Sequence, residues 1–244
     1  ARKELKGRDL LHSSRGAAFA RVGQHDRAIA DFDQAIRLNP KSAQGHAGRG
    51  ESRAAKGEND LAIVDCDEAI RLEPTRAASY ASRGMIWMKV GQYGLAAADF
   101  DEAVRLAPFV SVYYSVRGYS RHASKKYDAA FADYEAALRL NSNDPTAYGG
   151  RGESRFATRD FDGAIADFDQ AIRLNPEHAI YYRNRGLSLQ AKNDHERALA
   201  DLDRAIGLGA TDVLSYSGRA HSSLAKRKIG RATSELQSRC RISY

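Results

Sequence analysis

The 244-residue chain is 43% apolar and 28% charged, ordinary for a soluble folded protein, so composition alone does not choose a fold. No apolar run approaches the roughly 18 residues needed to cross a bilayer, and no basic start followed by an apolar run marks a signal segment, so membrane insertion is not expected. The net charge of +7 hints at nucleic acid until it is located: residues 1–15 carry five Lys/Arg against two acids, residues 218–244 seven against one, and the stretch between is near neutral.

Residues 1–8 read as a lead-in. From there the chain repeats itself, and repetition is the first feature to weigh because it governs the whole fold. Arg-Gly pairs stand at Arg15-Gly16, Arg49-Gly50, Arg83-Gly84, Arg117-Gly118, Arg151-Gly152 and Arg185-Gly186, each step 34 residues, with a worn copy at Arg219-Ala220. Twelve residues after each Gly comes Ala28, Ala62, Ala96, Ala130, Ala164, Ala198 or Ala232, and nineteen after it Ala35, Ala69, Ala103, Ala137, Ala171 or Ala205. Between them lies Phe32, Cys66, Phe100, Tyr134, Phe168, Leu202 or Leu236.

Apolar residues inside each unit follow helical spacing, as in Ala28, Ile29, Phe32, Ala35, Ile36 and Leu38. Gly23, Gly57 and Gly91 fall where a short turn reverses the chain. Pro40, Pro74, Pro108 and Pro176 stop the second helix, because proline lacks the amide proton and clashes with the preceding turn. Each unit is therefore an antiparallel helix pair. A glycine within a helix costs about 1 kcal/mol relative to alanine. Its recurrence predicts close backbone approach, Gly16 meeting Ala28 across the hairpin and Ala35 meeting the next unit. The Arg of each pair has an acid sixteen residues on, at Asp31, Asp65, Asp99, Asp133, Asp167, Asp201 and Glu235, which predicts one Arg–Asp bridge per unit.

This small-residue, aromatic, alanine and proline signature at a 34-residue period resembles the tetratricopeptide repeat, and a bacterial member of that family is expected. The match runs from residue 9 to about 239. It departs from the family where Arg53, Arg121, Arg155 and Ser223 replace a large apolar residue three after the Gly, and in the fourth unit, where the terminating proline is displaced to Pro145. The resemblance implies an all-α, right-handed superhelical solenoid of about seven hairpins: residues 1–8 a lead-in, 9–210 six units, 211–244 a degenerate seventh unit and basic C-terminal cap. Stacking supplies the stability, about three units being the minimum, and the uncovered faces of the terminal units are expected to be polar.

No constellation for chemistry emerges. The histidines show no metal-ligand spacing, and no phosphate-binding loop or nucleophile elbow occurs. Cys66 sits in a core register, and two cysteines make no disulfide framework. His12 and His46 share the register of Tyr80, Tyr114, Tyr148, Tyr182 and Tyr216, which makes them packing residues. No cofactor, no metal and no enzymatic activity are expected.

By the family resemblance the first helix of each unit lines a concave groove, through the residues two and three before the Gly and one, four and five after it. Those registers nominate Glu51, Met85, Met88, Lys89, Tyr119, His122, Glu153, Phe156, Arg183 and Asn184 as peptide-binding residues. Met85, Met88, Tyr119 and Phe156 form an apolar stretch suited to anchoring an apolar side chain, while Glu51, Glu153, Arg183 and Asn184 would set register and orientation. The Lys and Asn clamp with which some members hold acidic chaperone tails is replaced here mostly by Ser, Ala and Gly. The expected role is a scaffold or adaptor that binds a protein or peptide segment, or else the targeting or regulatory arm of a larger enzyme or complex. Nucleic acid is disfavoured because the groove registers add few cations beyond Lys89 and Arg183. Self-association through uncovered ends is open. A start at Ala1 leaves room for an upstream signal or domain, so a cytoplasmic location is expected and a periplasmic one would follow from a removed signal.

Overall fold

A computed structural model describes residues 7–241, with side chains through Arg231. The described residues form thirteen α-helices and no strand: α1 Arg8–Arg21, α2 His25–Leu38, α3 Ala43–Lys56, α4 Asn59–Leu72, α5 Ala77–Lys89, α6 Tyr93–Leu106, α7 Ser111–Ala123, α8 Tyr127–Leu140, α9 Pro145–Ala157, α10 Phe161–Leu174, α11 Ala179–Ala191, α12 His195–Gly207 and α13 Val213–Arg241. They fall into two compact units, residues 1–125 and 126–244. The first holds the hairpins α1/α2, α3/α4 and α5/α6, followed by α7. The second holds α8, the hairpins α9/α10 and α11/α12, and α13.

The 34-residue signature makes the interior of both units. Ala28, Ala62, Ala96, Ala164 and Ala198 have no exposed surface, and neither do Ala35, Ala69, Ala103, Ala171 and Ala205. The recurring glycines let the helices close on them: a Cβ on Gly16 would stand 3.2 Å from the Ala28 carbonyl oxygen, and one on Gly50 3.0 Å from that of Ala62. The residue between the alanines reaches forward into the next hairpin. The Phe32 ring lies so close to Gly48 that a Cβ there would meet it at 2.3 Å. Burying such a ring contributes about 2–3 kcal/mol, so stacking, and not any single hairpin, stabilises the structure.

The expected Arg–Asp bridges are bidentate in Arg15–Asp31, Arg49–Asp65 and Arg83–Asp99 of the first unit and in Arg151–Asp167 and Arg185–Asp201 of the second. In four of the repeats the register arginine also does something the sequence did not suggest. It turns a further N–H back to an acid sixteen residues earlier, on the second helix of the preceding hairpin: Arg49 to Asp33 at 2.7 Å, Arg83 to Asp67 at 2.6 Å, Arg117 to Asp101 at 2.9 Å and Arg185 to Asp169 at 2.6 Å. One arginine thereby ties its own hairpin shut and fastens it to the one before. Arg53 and Arg155, which take the large apolar register, fill it with a second cation on the same buried carboxylates, at 2.8 Å from Asp65 and 2.9 Å from Asp167. Planar guanidinium groups suit this shared, charge-assisted geometry.

Turns follow the register more strictly than the residue types do. Gly23, Gly57 and Gly91 adopt positive φ, and the same position in the next three copies is left-handed although it holds Lys125 (60°), Arg159 (67°) and Asn193 (64°). Pro145 does not terminate the fourth unit. Asn141 ends α8, and Pro145 opens α9 at its first turn, where the missing N–H is harmless, with Asp144 accepting from the Thr146 and Ala147 amides. The seventh copy does not turn at all. Residues 213–241 run as one helix of 29 residues, through good helix formers at Ala225, Lys226, Arg227 and Lys228 where a hairpin would reverse. Ala232, Glu235, Leu236, Arg239 and Cys240 lie outside the described side chains, as does the lead-in through residue 6.

Candidate functional site

Within each unit, first helices of successive hairpins also touch: α1 with α3 and α3 with α5, then α9 with α11 and α11 with α13. The inner side of each stack is therefore built from first helices, and residues two before the Gly and one, four or five after it open onto it.

In the first unit these registers surround a recess of about 620 Å³. Its walls are Glu51, Ala54 and Ala55 of α3; Ser82, Met85, Ile86, Met88 and Lys89 of α5; and Tyr119 of α7. Five of the ten nominated residues, Glu51, Met85, Met88, Lys89 and Tyr119, converge here. Buried Ile86 packs with Ala62 and Cys66 in the core beneath. The floor and sides are apolar, and the rim is polar and braced. Ser82 Oγ donates to the Glu51 carboxylate at 2.6 Å, and Lys89 Nζ donates to the Ala54 carbonyl. Both contacts span α3 and α5 and hold the mouth at a set width. Tyr119 stands edge-on to Tyr93, centroids 6.1 Å apart. His122 is half-buried and is not part of this wall.

A second recess of about 400 Å³ adjoins the first through Glu51. Ala17, Ala20, Arg21, Ala47 and Gly48 come from the groove registers, whereas His25, Gln44 and Arg76 enter from turns and helix starts that those registers do not include. The bulk of Phe32 forms part of its floor, which Gly48 leaves open.

The nominated residues of the second unit are engaged with one another or with neighbours. Asn184 Nδ2 donates to Glu153 Oε1 at 2.8 Å, the counterpart of Ser82 on Glu51 three repeats earlier in the chain. Arg183 pairs with Asp212 at 2.9 Å, and Phe156 meets Phe161 edge-on with centroids 5.5 Å apart. These side chains stiffen the inner surface of that unit and would have to exchange partners to hold a ligand.

The remaining chemistry-bearing groups are structural. Cys66 is fully buried, and burial pushes its thiol up to about 12, so it carries no thiolate at neutral pH. His46 takes the place of the register tyrosine: its Nε2 lies 3.3 Å from the Pro40 carbonyl, just as the Tyr80 and Tyr114 hydroxyls donate to the carbonyls of Pro74 and Pro108. His12 hydrogen-bonds Asp31 at 3.2 Å. Among the described residues no group of three or more His, Cys, Asp or Glu is placed to hold a metal ion, and no helix is long and apolar enough to cross a membrane.

Comparison with known proteins agrees with this geometry. A tetratricopeptide-repeat family model matches residues 14–81, 83–145 and 150–213. The chain belongs to the tetratricopeptide-repeat family. No curated protein matches it. Among solved structures, these tetratricopeptide hairpins are similar to pilF of Pseudomonas aeruginosa, with a TM-score of 0.79, 19% identity, and 89% of this chain and 99% of that one covered. They are similar to YrrB, a TPR protein with an unusual peptide-binding site, with a TM-score of 0.65, 23% identity, and coverage of 78% and 97%. They are also similar to a chain of the APC/C hetero-tetramer Cut9-Hcn1, with a TM-score of 0.75 and 18% identity over 89% of this chain, which spans 43% of that one. At these identities the likeness is one of fold: an all-α helical-repeat solenoid.

Proposed function

We propose that this tetratricopeptide-repeat chain is a non-catalytic scaffold that holds a protein or peptide segment along the first helices of its hairpins. The observation that carries the proposal is the apolar recess of about 620 Å³ between α3, α5 and α7, a size typical of ligand sites. Met85, Met88 and Tyr119 offer an adaptable apolar wall for one anchoring side chain, and half-exposed Met85 and Tyr119 would lose water on binding. Glu51 and Lys89 would orient the segment from the rim, with His122 beyond it; on the second unit Glu153, Phe156, Arg183 and Asn184 are proposed as peptide contacts in their own right. YrrB, with its peptide-binding site, supports this use of the fold. The same groove would serve the chain as the targeting arm of a larger enzyme or complex.

The test is selection of binding peptides from a displayed random library, followed by titration of the selected peptides against Met88→Asp and Tyr119→Ala. Both variants should keep the far-UV circular dichroism and melting temperature of the parent and lose at least tenfold in affinity. Undiminished affinity in both would move the site away from α3, α5 and α7. Binding that weakens steeply with added salt would instead favour nucleic acid or another polyanion.

A further inference from the structure

The chain holds two methionines, Met85 and Met88, and both stand in the α5 wall of the first-unit recess. Stacking does not demand them there. In other hairpins the register of Met85 holds Glu51, Tyr119 or Leu187, and that of Met88 holds Ala54, His122 or Gln190. Neither methionine belongs to the buried interior: Met85 is 50% exposed and Met88 is half-buried. Ile86, between them in the chain, makes the interior at this level by packing with Ala62 and Cys66.

A thioether reacts with a mild two-electron oxidant without help from a base or a metal, whereas a thiol reacts through its thiolate. Among the described residues the remaining sulfur is that of Cys66, which is fully buried and which burial keeps as the thiol at neutral pH. The sulfur that an oxidant in water can reach in the described structure is therefore gathered at one place, the wall of the recess.

We propose that Met85 and Met88 form a reversible oxidation site through which peroxide closes the recess to apolar side chains. This rests on the reading of the recess as the anchor site of a bound segment. A sulfur lone pair attacks one oxygen of hydrogen peroxide, and an S–O bond forms as the O–O bond breaks. The departing hydroxide takes up the remaining peroxide proton and leaves as water. Sulfur loses two electrons, peroxide gains them, and the side chain becomes a sulfoxide with one strongly polar oxygen. Water solvates that oxygen in the open recess. An apolar anchor would strip the water and offer no donor in return, so affinity falls. The helices stay packed, because the interior excludes both sulfurs. Met85, the more exposed of the two, reacts first.

The test uses the full chain with Cys240→Ser, hydrogen peroxide, and a fluorescein-labelled copy of the tightest peptide selected on the untreated protein. Peptide mass spectrometry should find an added oxygen on Met85 first, another on Met88 later and none on Cys66, with far-UV circular dichroism unchanged. Anisotropy should show at least tenfold weaker binding after oxidation, and the two methionine sulfoxide reductases, one for each sulfoxide epimer, should restore it. A Met85→Leu/Met88→Leu variant, whatever its starting affinity, should bind the peptide equally before and after peroxide. Full affinity in the doubly oxidised protein overturns the inference, as does an equal loss in the leucine variant or a loss of helicity on oxidation. Methionines that stay intact while free N-acetylmethionine is consumed overturn it too. A selection that yields no peptide, or peptides indifferent to Met88→Asp, instead fails the reading of the recess itself, and the oxidation site falls with it.

Discussion

The arginine ladder predicts a large and specific coupling energy. Arg83 donates to Asp99 from Nε and Nη2 at 2.9 and 2.6 Å and to Asp67 from Nη1 at 2.6 Å. Asp99 is 5% exposed, so removal of Arg83 strands a buried carboxylate. Breaking a buried pair in this way typically costs about 3–5 kcal/mol. The guanidinium keeps some contact with water and Asp67 is half-exposed, which brings the expectation for Arg83→Ala down to about 2–3 kcal/mol. Asp99→Ala should cost about as much, and the double variant little more than either, giving a coupling of about 2 kcal/mol. The exposed pair Arg71–Glu68 is equally short at 2.6 Å but, in contact with solvent, should show no measurable coupling. Urea unfolding followed by circular dichroism and by Trp87 fluorescence provides the measurement, since Trp87 lies one turn from Arg83 on α5 and reports the same junction. Agreement of the two probes is needed because repeat arrays can lose two-state behaviour. A coupling below about 0.5 kcal/mol for Arg83–Asp99 would refute the view that the ladder fastens the hairpins.

Other consequences are open to direct measurement. Arg159→Gly relieves a left-handed backbone position that glycine occupies freely in three other turns, so it should raise stability by about 0.5–1 kcal/mol, whereas Gly57→Ala should lower it by about 1 kcal/mol; urea midpoints decide both. The Arg15 guanidinium, helped by His12, holds the Asp31 carboxyl below the usual range, and the Ser215 amide with Arg183 does the same for Asp212. The folded state therefore resists protonation that the unfolded chain accepts. Stability should be flat above about pH 5 and fall as the pH drops through the lowered carboxylate values, with a shallower fall in Asp31→Asn. In a Cys240→Ser background, iodoacetamide at pH 8 should leave Cys66 unmodified until urea unfolds the first unit; rapid alkylation of the folded protein would contradict its burial.

Much of this molecule is legible in one dimension because a tetratricopeptide hairpin makes its contacts at fixed sequence offsets. Gly16 meets Ala28, Arg49 meets Asp65, and the offset recurs every 34 residues, so the fold class, the hairpin and the first arm of the ladder follow from spacing alone. The groove registers likewise bring Glu51, Met85, Met88, Lys89 and Tyr119 to one recess, because those positions share a helix face. Three features were not legible. Asp33, Asp67 and Asp101 look like a solvated helix face until stacking lays them beside the next arginine. Arg53 looks like a packing defect until Asp65 is seen to accept it. The engagement of Asn184 with Glu153 and of Arg183 with Asp212 depends on rotamers, which carry no periodic signal.

What the amino-acid sequence determined by itself is the repeating element and its inner side, since both depend on short-range helical geometry and on residue size. Only the tertiary structure decided which charges are shared between hairpins and which side chains at the groove remain available. Those outcomes depend on how closely separate helices approach: Arg49 reaches a second carboxylate, Asp33, because the preceding hairpin has packed against its own.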